Sequence, residues 1–125
     1  MPKVLLIEDE ESLRSLYTRI LSAKSYEVES AADGEVALSI LKSYRPDVIV
    51  LDIIMPRYTG IEILKILKSD VELQNIPVVM LTALSEMRRI TECLEMGAVG
   101  YITKDSTVEE LVHRLDFLIE SIGVH

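Results

Sequence analysis

Val48-Ile49-Val50-Leu51-Asp52-Ile53-Ile54-Met55-Pro56 decides the fold. Its first four residues form an unbroken apolar run, the pattern of a strand buried on both faces. The run ends on a carboxylate. A charge at the tip of a buried strand is costly unless something uses it. Val4-Leu5-Leu6-Ile7 runs likewise into Glu8-Asp9, Val78-Val79-Met80-Leu81 into Thr82, and Val99-Gly100-Tyr101-Ile102-Thr103 into Lys104. Three carboxylates, one hydroxyl and one ammonium therefore fall at strand ends. Such a set can bind a divalent cation and a phosphoryl group.

Helical periodicity fills the segments between these runs. Leu13, Leu16, Tyr17, Ile20 and Leu21 place a helix over about 11–24. A weak strand follows at 28–31. Asp33-Gly34 marks a turn or cap; Val36, Ala37, Ile40 and Leu41 then set a second helix on the core, and Pro46 stops it. Thr59 and Glu62 have capping-box spacing, so a third helix starts near Gly60 with Ile61, Leu64 and Leu67 inward. A fourth helix is read over 85–96, with Gly97 suiting its C-terminal cap. Ser106 and Glu109 offer another capping box for a last helix carried by Val108, Leu111, Val112, Leu115 and Leu118.

Strands alternating with helices imply an α/β fold whose parallel sheet is covered on both faces. The second strand holds Glu29 and Ser30, and the fifth holds Gly100 and Thr103, so these two belong at the edges. The order 2-1-3-4-5, a doubly wound five-stranded arrangement, satisfies that requirement. Its switch point lies between strands one and three, and ligands bind at the carboxyl ends of the strands beside such a point. Glu8, Asp9 and Asp52 meet there in this reading, with Thr82 and Lys104 closing the site.

The 125 residues suit one domain over 1–125, and the formal net charge is −8, from 21 acidic and 13 basic residues. That sign argues against direct contact with nucleic acid and against an anionic membrane surface. No apolar stretch approaches the ~20 residues of a membrane span, and Met1-Pro2-Lys3 leads straight into a strand without a signal peptide. The single cysteine, Cys93, fits a reducing compartment, so a cytoplasmic setting is expected.

Clustered carboxylates repel one another, and without a cation at least one pKa should rise. All ligands on offer are oxygens, which points to a hard ion, Mg²⁺. Asp52 is placed to act as a nucleophile and form an acyl phosphate. The cation, Lys104, and the Thr82 hydroxyl with a backbone N–H would each neutralise one phosphoryl oxygen.

These motifs resemble the receiver domain of two-component response regulators, the CheY-like family with its flavodoxin-like sheet. The residues that carry the resemblance are Glu8-Asp9, Leu51-Asp52-Ile53-Ile54-Met55-Pro56 with Gly60, Leu81-Thr82-Ala83, and Gly97-Ala98-Val99-Gly100-Tyr101-Ile102-Thr103-Lys104. It implies that Asp52 accepts phosphate from a sensor histidine kinase or a histidine phosphotransfer protein. It implies that Glu8, Asp9, Asp52 and the backbone carbonyl of Ile54 hold Mg²⁺, while Thr82 and Lys104 bind the phosphoryl group. Tyr101 would be an aromatic switch that turns inward as Thr82 moves toward the phosphate. Phosphorylation would bias a pre-existing equilibrium and alter the surface of the fourth helix, fifth strand and fifth helix for an output partner the sequence does not name. A monomer or a weak phosphorylation-dependent dimer is expected, with no enzymatic turnover.

The chain departs from the family at two places. Asp105 follows Lys104 where the family usually has proline, often with a cis bond. Arg57 replaces a common glycine; it either nears the phosphate entrance or faces solvent. Ile54 and Leu84 flank the phosphoryl position, and neither can orient a hydrolytic water, so slow self-dephosphorylation is expected. Two other functions compete with the switch. A Mg²⁺-dependent aspartyl phosphatase would need an acid where Ile54 stands; a phosphate-independent interaction module would never use the site. Arg88, Arg89, Glu92, Glu95, Glu109 and Glu110 read for the most part as a charged solvated face, with partner contact the alternative; Cys93 reads as a buried or half-buried helix residue, and His113 and His125 as non-catalytic.

Overall fold

The computed structural model describes residues 1–55 and 57–123. Pro56, part of the family motif, and His125, read as a tail residue, lie outside the described residues. The apolar runs form β1 (Lys3–Ile7), β2 (Glu27–Ala31), β3 (Val48–Asp52), β4 (Val78–Thr82) and β5 (Gly100–Thr103). They make one parallel sheet in the order β2-β1-β3-β4-β5, as the edge argument requires.

Helices α1 (Glu11–Ala23), α2 (Gly34–Ile40), α3 (Gly60–Ser69), α4 (Ile90–Glu95) and α5 (Val108–Ser121) cover both faces. Because strand side chains alternate, each strand feeds two cores. Leu5, Ile7, Ile49, Leu51, Val78 and Met80 pack with residues of α2, α3 and α4. Val4, Leu6, Val48, Val50, Val79, Leu81 and Ile102 pack with Tyr17 and Leu21 of α1 and with Leu111, Leu115 and Leu118 of α5.

Several boundaries differ from the sequence reading. The fourth helix is short: a 3-10 segment, Leu84–Arg89, precedes α4, and no residue of that segment is buried. Only the part-buried Met87 of that segment packs against the core, so little holds it to an α-helix and the chain stays in the tighter form. α2 ends at Ile40, well before Pro46, and passes into turns rather than being stopped by the proline. The capping box of α5 is Thr107 with Glu110, not Ser106 with Glu109. Both pairs have the required spacing; the Ser106 hydroxyl is already bonded to Thr103 Oγ1 at 2.8 Å. That register leaves Val108 exposed and buries Leu111, Val112, Leu115 and Leu118. Leu16 and Val36, expected inward, are also exposed. Thr59 and Glu62 form the capping box of α3 as read, and Asp33 caps α2 by accepting from the Val36 amide.

Gly60 begins α3 directly behind the end of β3, and its amide donates to the Ile53 carbonyl at 2.7 Å. A Cβ there would stand 2.0 Å from the Asp52 carbonyl oxygen and 2.8 Å from the Ile53 Cα, all backbone. At Gly34 the nearest atom is instead the end of the Ile63 side chain. Gly60→Ala is therefore expected to cost about 2 kcal/mol or more, with a smaller loss for Gly34→Ala, as measured by urea denaturation.

Candidate functional site

Register builds the site. Ile7 is paired with Leu51, so Glu8 follows at the level of Asp52. Asp52 is paired with Leu81, which puts Thr82 one step beyond, and Thr82 is paired with Thr103, which puts Lys104 one step further. Four strand ends thus deliver Glu8, Asp52, Thr82 and Lys104 to one edge of the sheet. Extending the alternation, Glu8, Asp52 and Lys104 share the α1–α5 side, whereas Thr82 and Tyr101 share the α3–α4 side.

Lys104 joins the two acids. Its Nζ donates to Asp52 Oδ2 at 3.0 Å and lies 3.0 Å from Glu8 Oε1. Glu8 is 0% exposed and Asp52 2%, so both charges are removed from water. The other Glu8 oxygen accepts the Glu10 amide at 3.1 Å, and Asp52 Oδ1 accepts the Ile54 amide at 3.3 Å. Asp9 is exposed at the rim, and one carboxylate oxygen from each of Glu8, Asp9 and Asp52 lies within 4.8 Å of the others.

Burial first, then the hydrogen bonding and charge of Glu8, push the Asp52 carboxyl from 3.8 up to about 7, against the lowering effect of Lys104. Burial alone would lower the Lys104 ammonium pKa; the hydrogen bonds and charges of Asp52 and Glu8 outweigh it and raise the pKa. The pocket therefore holds more negative charge than its single ammonium balances. Three clustered carboxylates served by one ammonium, all oxygen donors, fit a hard divalent cation.

Thr82 is buried, and its hydroxyl donates to the Ala83 carbonyl at 3.0 Å. Tyr101 is half-buried against the α3–α4 core; Arg114 lies over its ring at 5.8 Å and donates from Nε to its carbonyl at 3.3 Å. The side chains of Ile54 and Leu84 are both exposed.

The two loop departures have local accounts. Among the described residues no peptide bond is cis, so Lys104–Asp105 is trans. The loop is built as a turn instead, closed by the Ser106 amide on the Thr103 carbonyl at 3.1 Å. Arg57 takes φ 68, the left-handed region that explains why a glycine is common there. Its side chain faces solvent, 3.7 Å from Glu35, a pair exposed enough to contribute little.

A family model described as the response regulator receiver domain matches residues 4–116. The chain belongs to this family. It is 39% identical over 120 residues to a probable transcriptional regulator, ycf27, of Porphyridium aerugineum, covering 96% of this chain and 49% of that protein. It is 36% identical to the response regulator MprA of Mycolicibacterium vanbaalenii, covering 94% of this chain and 50% of the relative. The chain thus spans about half the length of these relatives. The chemotaxis protein CheY4 of Vibrio cholerae superposes with a TM-score of 0.87 at 35% identity, over 94% of this chain and 98% of that one. The receiver domain of the Francisella response regulator 1452 does so at 0.85 and 32% identity, over 97% and 98%. Receiver domains typically bind Mg²⁺ at an acidic pocket, and Glu8, Asp9 and Asp52 form such a pocket in this receiver domain.

The raised Asp52 pKa has a sign that can be checked. The folded state holds this proton more tightly than the unfolded chain does. The stability it contributes is therefore present below about pH 4 and is lost as pH rises to about 7. In chelator, the stability of the wild type relative to Asp52→Asn is expected to fall across that window in denaturant titrations. A constant difference would contradict the raised Asp52 pKa.

Proposed function

We propose that this receiver domain is a phosphorylation-activated switch whose acceptor is Asp52. The observation that carries the reading is the Lys104 ammonium set against both buried acids, with Asp9 beside them. Asp52 attacks the phosphorus of a phosphohistidine on a sensor histidine kinase or histidine phosphotransfer protein. The new O–P bond forms as the P–N bond breaks, and the leaving imidazole keeps the electron pair. Glu8, Asp9, Asp52 and the Ile54 carbonyl hold Mg²⁺, which supplies charge neutralisation for the incoming group. Lys104 turns from the carboxylates to a phosphoryl oxygen, and Thr82 exchanges its bond to Ala83 for another.

Those contacts exist only in the phosphorylated state, so they bias the conformational equilibrium. Thr82 and Tyr101 share one side of the sheet, which supports Tyr101 as the element that follows Thr82. The altered α4–β5–α5 surface then controls an output partner. The transcriptional regulators among the relatives support an output in gene control, exerted without direct nucleic acid contact by this acidic domain. The reading takes 1–125 as one domain, cytoplasmic, and monomeric or weakly dimeric on phosphorylation. It does not act as an enzyme. Ile54, an exposed apolar residue, stands where a phosphatase would need its acid.

Incubation with acetyl phosphate and Mg²⁺ should add one phosphoryl group by intact-mass measurement, with no gain in chelator or in Asp52→Asn. Turnover of the donor without modification would favour a phosphatase, and neither outcome would favour a phosphate-independent module. Because neither Ile54 nor Leu84 offers a base or hydrogen-bonding group, the acyl phosphate should decay slowly. Rapid loss without a phosphatase would contradict that expectation.

A further inference from the structure

Arg14 is half-buried on the second turn of α1. Its Nη1 donates to the Glu8 carbonyl at 2.9 Å and reaches the Asp9 carbonyl at 3.4 Å. These are the backbone carbonyls of two of the three pocket acids. The turn that carries them has no ordinary helix cap. Glu10 occupies the N-cap position of α1 without a side-chain cap bond. Its amide is drawn back to Glu8 Oε2, and its carboxylate accepts the Ser12 hydroxyl at 2.9 Å. The β1–α1 turn is thus held from within by Arg14. A rigid planar guanidinium suits two neighbouring carbonyls better than the point charge of lysine does.

We infer that Arg14 is a positioning residue for the cation site, fixing the turn from which Glu8 and Asp9 project toward Asp52. The inference rests on the reading that these acids bind Mg²⁺. Two effects of Arg14 on that affinity oppose each other. As a nearby positive charge it repels a cation, so its removal would tighten binding. As a brace for the ligands it aids binding, so its removal would weaken it. Loss of an outer-shell partner typically costs 10–100-fold in metal affinity, which exceeds the effect of one screened surface charge.

The experiment is calorimetric titration of MgCl₂ into wild type, Arg14→Gln, Arg14→Lys and Arg19→Gln, with melting in chelator to confirm folding. Arg19→Gln removes an equal charge from an exposed position on the same helix. Arg14→Gln is expected to weaken Mg²⁺ about tenfold, Arg14→Lys by less, and Arg19→Gln not at all. Unchanged or tighter binding by Arg14→Gln overturns the inference, even if that variant melts lower. If Arg14→Gln fails to fold, Arg14→Lys decides: weaker binding supports the positioning role, and wild-type affinity refutes it. A wild type that binds no Mg²⁺ fails earlier, at the reading of the acidic pocket itself.

Discussion

Two carboxylates buried at the same level of a sheet repel each other, and one ammonium offsets only part of that cost. Glu8 and Asp52 are in that position, and Lys104 is the cation between them. Burial and mutual repulsion lift the Asp52 pKa, and the same pair of acids holds Lys104 protonated. The proposed function adds two further species, a hard cation among the acids and a phosphoryl group beside the ammonium. Both reduce an electrostatic penalty that the folded chain carries by itself. The switch proposed for this receiver domain has its driving force there.

The sheet turns that local imbalance into a route outward. Side chains at successive residues point to opposite faces, so the charged trio lies toward α1 and α5 while Thr82 and Tyr101 lie toward α3 and α4. Thr82 therefore links the chemistry at the strand ends to the other core. The segment after it, Leu84–Arg89 and then the short α4, buries little apolar surface. Few buried contacts mean a low cost of rearrangement. The rigid part of the site is instead the β3–α3 junction, where Gly60 sits against the backbone of Asp52 and Ile53.

The strands and their order were legible because a buried parallel strand writes itself as an unbroken apolar run. The convergence of Glu8, Asp9, Asp52, Thr82 and Lys104 was legible for the same reason, since the carboxyl ends of parallel strands face one edge. Helix limits were less legible. Ser106-x-x-Glu109 and Thr107-x-x-Glu110 satisfy one spacing rule equally, and only packing of α5 chooses between them. The fourth helix carried apolar residues at helical spacing, yet tertiary contacts supported only its second half. Arg14 escaped the sequence reading because a side chain bonded to main-chain carbonyls leaves no pattern of partner residues. Tyr17 was read as a core-facing residue of the first helix but not as a neighbour of the pocket: burial and Glu8 raise its hydroxyl pKa while Lys104 lowers it. The glycine-like backbone at Arg57 was concealed by a residue type that rarely adopts it.

Proton release on cation binding tests the central electrostatic constraint most directly. Calorimetric Mg²⁺ titrations of the wild type, run slightly below pH 7 in buffers of different ionisation enthalpy, report the protons displaced. With Asp52 titrating at about 7, binding should release a fraction of a proton that vanishes in Asp52→Asn. Heats that are identical in every buffer would mean that no shared proton is displaced, and the account of Glu8, Asp52 and Lys104 as an unbalanced buried cluster would be wrong.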